Sequence, residues 1–331
     1  MLNDMFAGQI LLTGRLKMLR LDTERERKRF LRPPSTGKSP TVSESPKSPQ
    51  TSDIGEIRVP DIALNNGVMI PQLGFGVFQV PPEETQRVVE DALEAGYRHI
   101  DTAAAYRNEA GVGAAIASSG IRREDLFITT KLRNGEQGQA LEAFHNSLRA
   151  LGLEYVDLYL IHWPVPSQGL FVNAWQAMEK IYANNQARAI GISNFLSQHI
   201  DILLAQTEVV PALNQIELHP TYQQRDLAAK CSSLGIAIEA YSPLGQGTDL
   251  EAPVVVELAA RHGATPAQIV LAWHLAQGTI VIPKSANSAR MRENLGATSI
   301  PLTRAEMESV TALESGARIG SDPAVAAFSQ M

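Results

Sequence analysis

From residue 72 onward, short apolar runs alternate with longer amphipathic ones. QLGFG (72–76) precedes PEETQRVVEDALEAG, and YRHID (97–101) precedes NEAGVGAAIASSG. DLFITTK (125–131) precedes QALEAFHNSLRALG, and YVDLYLIHW (155–163) precedes FVNAWQAMEKIYAN. ARAIGIS (187–193), PALNQIEL (211–218), IAIEAYSPL (236–244) and TIVIPKS (279–285) each lead into a further helical stretch. The short runs are nearly continuous in apolar residues, as strands covered on both faces must be. The long runs carry helix punctuation, such as Pro82 with an acidic first turn and the stop at Gly96. Strand–helix alternation predicts a parallel α/β sheet. Eight such units within residues 56–331 match a (β/α)8 barrel of roughly 250 residues. Ahead of them, DIALNNGVMIP (61–71) places two alternating runs around Asn65-Asn66-Gly67, which predicts a β-hairpin. An open doubly wound sheet is the competing architecture. It lacks its dinucleotide fingerprint here, because GFG (74–76) and GVG (111–113) do not sit between a strand and a helix start.

The first 55 residues break the pattern. They hold 10 Lys/Arg against 6 Asp/Glu, a net +4, whereas the remainder carries a net −10. PPSTGKSPTVSESPKSP (33–49) has five Pro and five Ser in 17 residues, and cannot bury enough apolar surface to offset its ordering entropy. Residues 1–55 are therefore expected to be a disordered extension, and 56–331 the folded barrel. The amphipathic start, MLNDMFAGQILLTGRLKMLR, makes a poor signal peptide because Asp4 comes early and no cleavage site follows. No apolar run approaches the roughly 20 residues of a membrane helix. The single cysteine, Cys231, excludes an internal disulfide and any multi-Cys metal site, and points to the cytoplasm. The acidic body argues against nucleic acid as a partner. A monomer is expected.

In a (β/α)8 barrel the C-terminal strand ends face the active site. Here the second, third and fourth strands end in Asp101, Lys131 and His162, and Tyr106 follows Asp101 closely. An ammonium beside a tyrosine favours the phenolate and strengthens the phenol as an acid. Asp101 would pair with Lys131, and a neutral His162 would orient a substrate oxygen. That is a proton donor aimed at a developing alkoxide. It suits carbonyl reduction. Hydrolysis is disfavoured, since no Ser or Cys sits beside a base, and no His/carboxylate cluster suits a metal. A hydride must come from outside the side chains, which implies a nicotinamide cofactor. Tyr241 offers a flat face for its ring, and Ser193, Asn194 and Gln215 polar contacts for its carboxamide. Lys284, Ser285 and Arg290 surround a helix start after the last strand, where phosphate binds in these barrels, and two cations there favour NADP(H).

These residues lie in stretches that resemble the aldo-keto reductases over essentially all of 56–331. The matching segments are LGFGVFQVP, HIDTAAAYRNE, ITTKL, VDLYLIHWP, IGISNF, NQIELHP, AYSPLG and IPKSANSARMRENL. The resemblance implies a catalytic tetrad of Asp101, Tyr106, Lys131 and His162, with Tyr106 as general acid. It implies nicotinamide contacts from Ser193, Asn194, Gln215 and Tyr241, with Ser242 and Leu244 of AYSPLG also against the cofactor. It places Lys284, Ser285 and Arg290 at the 2′-phosphate, with Glu293 and Asn294 near the adenine. The activity implied is NADPH-dependent reduction of a small carbonyl. PVPSQGLF, GQGTDLEAP and Phe78 look like the bacterial 2,5-diketo-gluconate reductase branch. Arg107 departs from the Gly common after the catalytic Tyr. Phe78 and Trp163, with Phe171, are expected to line an apolar substrate pocket. The alternative is an NADPH-binding sensor module with little turnover, which would keep the same tetrad.

Overall fold

The computed structural model describes residues 59–328. The expectations for residues 1–55 lie outside the described residues. The hairpin forms as two antiparallel strands, β1 (Asp61–Ala63) and β2 (Met69–Pro71), with Ile62 opposite Ile70. Eight parallel strands follow: β3 (Phe75–Gly76), β4 (His99–Asp101), β5 (Phe127–Leu132), β6 (Val156–Ile161), β7 (Ala187–Ser193), β8 (Leu213–Glu217), β9 (Ala237–Tyr241) and β10 (Ile280–Val281). They pair in chain order. A parallel bridge between Leu73 and Val281 brings the last strand back to the first, and the Val281 carbonyl accepts from Gly74 N at 2.8 Å. The sheet is thus a (β/α)8 barrel. Its seam strands are two residues each, shorter than QLGFG and TIVIPKS suggest, and single bridges and loop hydrogen bonds extend them.

Helices α1 (Pro82–Ala95), α2 (Glu109–Ser118), α3 (Ala140–Leu151), α4 (Phe171–Ala183), α5 (Ser197–Leu204), α6 (Arg225–Ser233), α7 (Pro253–His262), α8 (Pro266–Ala276), α9 (Ser288–Leu295) and α10 (Arg304–Thr311) surround the strands. Local chemistry fixes several ends. Pro82 opens α1, and Gly96 closes it in the left-handed region at φ 115°. Thr265 and Gln268 form a reciprocal capping box on α8, and the Asn287 side chain accepts from the first amides of α9.

One apolar core fills the space between strands and helices, and a second fills the lower barrel. In the second, Leu64 and Ile70 of the hairpin pack with Leu158, Leu160, Leu213 and Ile280. Each side chain buried this way contributes roughly 1.5–3 kcal/mol, so the hairpin is the floor of the barrel. Above that floor the interior becomes polar. The inward positions of β4, β5, β8 and β9 are His99 and Asp101, Thr129 and Lys131, Gln215 and Glu217, Glu239 and Tyr241, and nearly all are buried. That layering puts the chemistry at the C-terminal mouth.

Candidate active site

Asp101 closes β4 and is 2% exposed, and Lys131, near the end of β5, is fully buried. The Lys131 ammonium donates to Asp101 Oδ1 at 2.6 Å and to the Thr102 carbonyl at 2.9 Å. Its third partner is the Tyr106 hydroxyl at 3.4 Å. A 3-10 turn over Ala104–Tyr106 lifts the tyrosine over the mouth. Asn108 fixes that turn by donating to the carbonyls of Val77 and Val80 while its own Oδ1 accepts from Thr102. Arg107 stands at φ 58°, in the left-handed region, which is the physical reason a glycine fits there so readily. His162 follows β6 with its ring 5.6 Å from that of Tyr106 at 74°. Its Nδ1 is buried without a hydrogen-bond partner among the described residues.

Burial is the largest single effect on Lys131 and works against its charge, but Asp101 together with Tyr106 and Glu239 outweighs it, and the ammonium's pKa is raised. Burial pushes the Asp101 carboxyl up, against the pull of Lys131 and Gln215. The pair is an ion pair, since both Asp101 oxygens accept charged or amide donors. Tyr106 departs from expectation. Lys131 does pull its pKa down, but burial is the larger effect, and the hydroxyl lies above its ordinary value. The phenol is therefore firmly protonated. His162 is driven well below its ordinary value by burial and by Lys131, so its ring is neutral.

The polar residues of β7 to β9 meet beside this group. Ser193 Oγ donates to the Gln215 carbonyl at 2.9 Å, and Asn194 Nδ2 to the His162 carbonyl at 3.0 Å. The Tyr241 hydroxyl donates to Asn194 Oδ1 at 2.8 Å. Gln215 Nε2 bridges Asp101 Oδ2 at 2.9 Å and Glu239 Oε2 at 2.7 Å. Asn194 and Ser242 hold φ of 62° and 48°, so the backbone at the ends of β7 and β9 is strained where the side chains converge. Leu244 is half-buried against the main core. Lys284 and Arg290 are exposed near the N-terminus of α9, with no ion-pair partner among the described residues, and Ser285 lies between them. Further along α9, Glu293 accepts from the Thr265 hydroxyl at 2.7 Å, and Asn294 is buried.

The aromatic residues divide. Phe78 is 45% exposed with its ring 5.1 Å from Tyr106, at the open side of the mouth. Trp163 packs edge-on against Phe328 of the C-terminal tail at 5.0 Å, and Asn134 donates to the Phe328 carbonyl. Phe171 is not at the mouth. It opens α4 and packs on Phe195 and His199, because its position on the helix faces the outer core.

A buried cluster goes beyond the motif reading. His219 Nδ1 lies 2.9 Å from Asp249 Oδ2 and its Nε2 3.3 Å from Glu217 Oε1. The tail amides of Ile319 and Gly320 donate to the same Glu217 carboxylate at 2.5 and 2.7 Å. A Cβ on Gly245 would sit 2.6 Å from the Asp249 carboxylate, so glycine lets the acid turn back under its loop. Both carboxylates raise His219 to about 9 despite burial, and hold it charged. The cluster ties the loops after β8 and β9 to the tail. In the sequence, the only signal for Glu217 and Glu239 was two acids at inward period-two positions of apolar strands.

Among the described residues no helix is long and apolar enough to cross a membrane. The family model described as the Aldo/keto reductase family matches residues 72–315. An aldo-keto reductase of Mycolicibacterium smegmatis is 50% identical over 266 residues, covering 80% of this chain and 97% of its own length. Methylglyoxal reductase DkgA of Escherichia coli is 45% identical over 264 residues, covering 79% of this chain and 96% of its own. A solved structure of a Gox0644 mutant in complex with NADPH has a TM-score of 0.79 at 40% identity, over 82% of this chain and 100% of that one. With a barrel of this topology and a match over most of its length, the chain belongs to the aldo-keto reductase family.

Proposed function

We propose that this protein reduces aldehydes and ketones to alcohols with NADPH, using Tyr106 as the general acid. The observation that carries the reading is the Tyr106 hydroxyl, 3.4 Å from a buried ammonium that Asp101 holds at 2.6 Å. The donor set fits NADPH: Lys284 and Arg290, without ion-pair partners among the described residues, beside a helix start, with Ser193, Asn194, Gln215 and Tyr241 grouped at the mouth. Lys284, Ser285 and Arg290 would hold the 2′-phosphate, with Glu293 and Asn294 towards the adenine and Ser242 and Leu244 along the cofactor. Bound NADPH would supply a hydride to the carbonyl carbon. The complex of Gox0644 with NADPH supports this choice of cofactor.

The chain's own residues do the rest. The neutral His162 ring offers its single N–H to the carbonyl oxygen and orients it. Tyr106 donates its proton to that oxygen as negative charge develops. The Lys131 ammonium stabilises the phenolate left behind, and Asp101 keeps the ammonium charged and in place. Phe78 and Trp163 give the pocket apolar walls, which fits small carbonyls such as keto sugars, methylglyoxal or aromatic aldehydes. The similarity to a methylglyoxal reductase agrees with that class. The activity would reside in residues 56–331.

The test is cofactor consumption across a panel of such carbonyls, with NADPH and NADH side by side. Turnover of several compounds with a preference for NADPH is the expected result. Tight NADPH binding with no turnover on any of them would overturn the enzyme reading and leave a binding or sensor module.

A further inference from the structure

Beneath the tetrad, the barrel encloses a second acid that the proposed chemistry does not use. Glu239, on β9, is completely buried. Its Oε2 accepts from Gln215 Nε2 at 2.7 Å, and the same amide donates to Asp101 Oδ2 at 2.9 Å. Its Oε1 has no hydrogen-bond donor among the described residues and faces His99 Nε2 at 3.6 Å. The other nitrogen of that ring, Nδ1, lies 3.3 Å from the Pro71 carbonyl in the hairpin floor. A carbonyl can only accept, so Nδ1 carries the proton and Nε2 of the neutral ring presents a lone pair. Thr129 Oγ1, 3.2 Å away, is the other group at that nitrogen. A carboxylate oxygen facing a lone pair, without a donor and out of water, is strongly unfavourable. A carboxylic acid has a proton to point there.

The ring is placed to do this. A Cβ on Gly74 would lie 2.4 Å from His99 Nδ1, so the chain leaves that side open for the imidazole. The titratable groups facing Glu239 are His99 and Asp101 from β4, Lys131 from β5, and Tyr106 from the turn after β4. Lys131 is already matched by Asp101. A second carboxylate would leave the interior with an excess negative charge, next to the amide that fixes Asp101.

We propose that Glu239 is held as a neutral carboxylic acid and is a positioning residue. Through Gln215 it fixes Asp101, and by staying uncharged it keeps Tyr106 an effective acid; this second role rests on the proposed reductase chemistry. Burial and the negative Asp101 push the Glu239 carboxyl up to about 8, and burial drives His99 down to about 3, both in line with this arrangement. Above that range Glu239 loses its proton, its charge raises Tyr106 further, and proton donation slows.

The experiment compares full-length wild type and Glu239→Gln by difference infrared spectroscopy and by turnover, from about pH 6 to about pH 10. The amide reproduces the neutral acid, with its oxygen towards Gln215 and its NH2 towards His99. Wild type should show a protonated-carboxyl C=O band at neutral pH that is lost with a midpoint of about 8, and Glu239→Gln should lack it. Wild-type turnover should fall roughly threefold across the same range as the acid weakens; the variant should show no such step. Stability gives an independent readout. A neutral acid favours the fold below its unfolded pKa near 4.5, and that advantage is lost as pH rises through about 8. The melting temperature of Glu239→Gln should therefore gain on wild type across that window. An identical infrared titration in both proteins, the same alkaline step in both, or a variant that fails to fold would overturn the proposal. If wild type turns over nothing, the reductase reading fails with the Tyr106 role, while the carboxyl band still decides the state of Glu239.

Discussion

Tyr106 and Lys131 stand 3.4 Å apart, yet the phenol titrates above its ordinary value. Stripping water from a phenolate costs more than one paired ammonium returns, and Asp101 takes up much of the Lys131 charge. The resting site is thus a protonated acid beside a ready counter-charge. Lys131 is the residue on which this depends. Lys131→Met leaves Asp101 buried, with Gln215 as its remaining donor. Removing one partner of a buried ion pair typically costs about 3–5 kcal/mol. A denaturant melt should show a loss of that order, together with a large loss of turnover; wild-type stability in this variant would contradict the buried pair. Asp101, Lys131 and His162 could be picked out in the sequence because each closes an apolar run on successive strands, and Tyr106 because it follows Asp101 closely. The sign of the Tyr106 shift was not, because it depends on how thoroughly the mouth excludes water, and spacing carries no such information.

The helical units were readable from periodicity and from end signals such as Pro82, Gly96 and Asn287, which act through local backbone chemistry. The misplacement of Phe171 has a different origin. An aromatic residue early in the helix after β6 can face the mouth or the outer core, and packing against Phe195 and His199 decides it. The His219 clasp was also hidden, because its three members come from β8, the loop after it and the loop after β9. It responds to pH. His219 titrates at about 9, above its unfolded value of 6.5. Its stabilising contribution is therefore complete below about pH 6.5 and is lost as pH rises through about 9. His219→Gln should lower the melting temperature at pH 6, and the gap to wild type should close by about pH 10. A gap that stays constant with pH would show that the clasp is not held by charge. At α9, Arg290→Ala should weaken NADPH by about tenfold or more while leaving NADH nearly unchanged, since one charge-assisted contact is worth roughly 1.5–3 kcal/mol. Titration of both cofactors checks it, and equal weakening would remove Arg290 from the 2′-phosphate.

Across the whole barrel, polarity is layered along the axis. The hairpin and the inward Leu and Ile residues make an apolar floor, and the buried acids, amides and Lys131 lie above it, below an open rim. The hairpin is linked to the chemistry through Pro71, His99, Glu239, Gln215 and Asp101, a run of contacts from the floor to the tetrad. If this scaffold makes Tyr106 a proton donor to a carbonyl reduced by NADPH, single-turnover oxidation of NADPH with methylglyoxal should separate wild type from Tyr106→Phe. General acids contribute about 10²–10⁴-fold. A loss of that size in Tyr106→Phe, with NADPH affinity unchanged, is expected; an equal rate in the two proteins would contradict the role of Tyr106 as the acid.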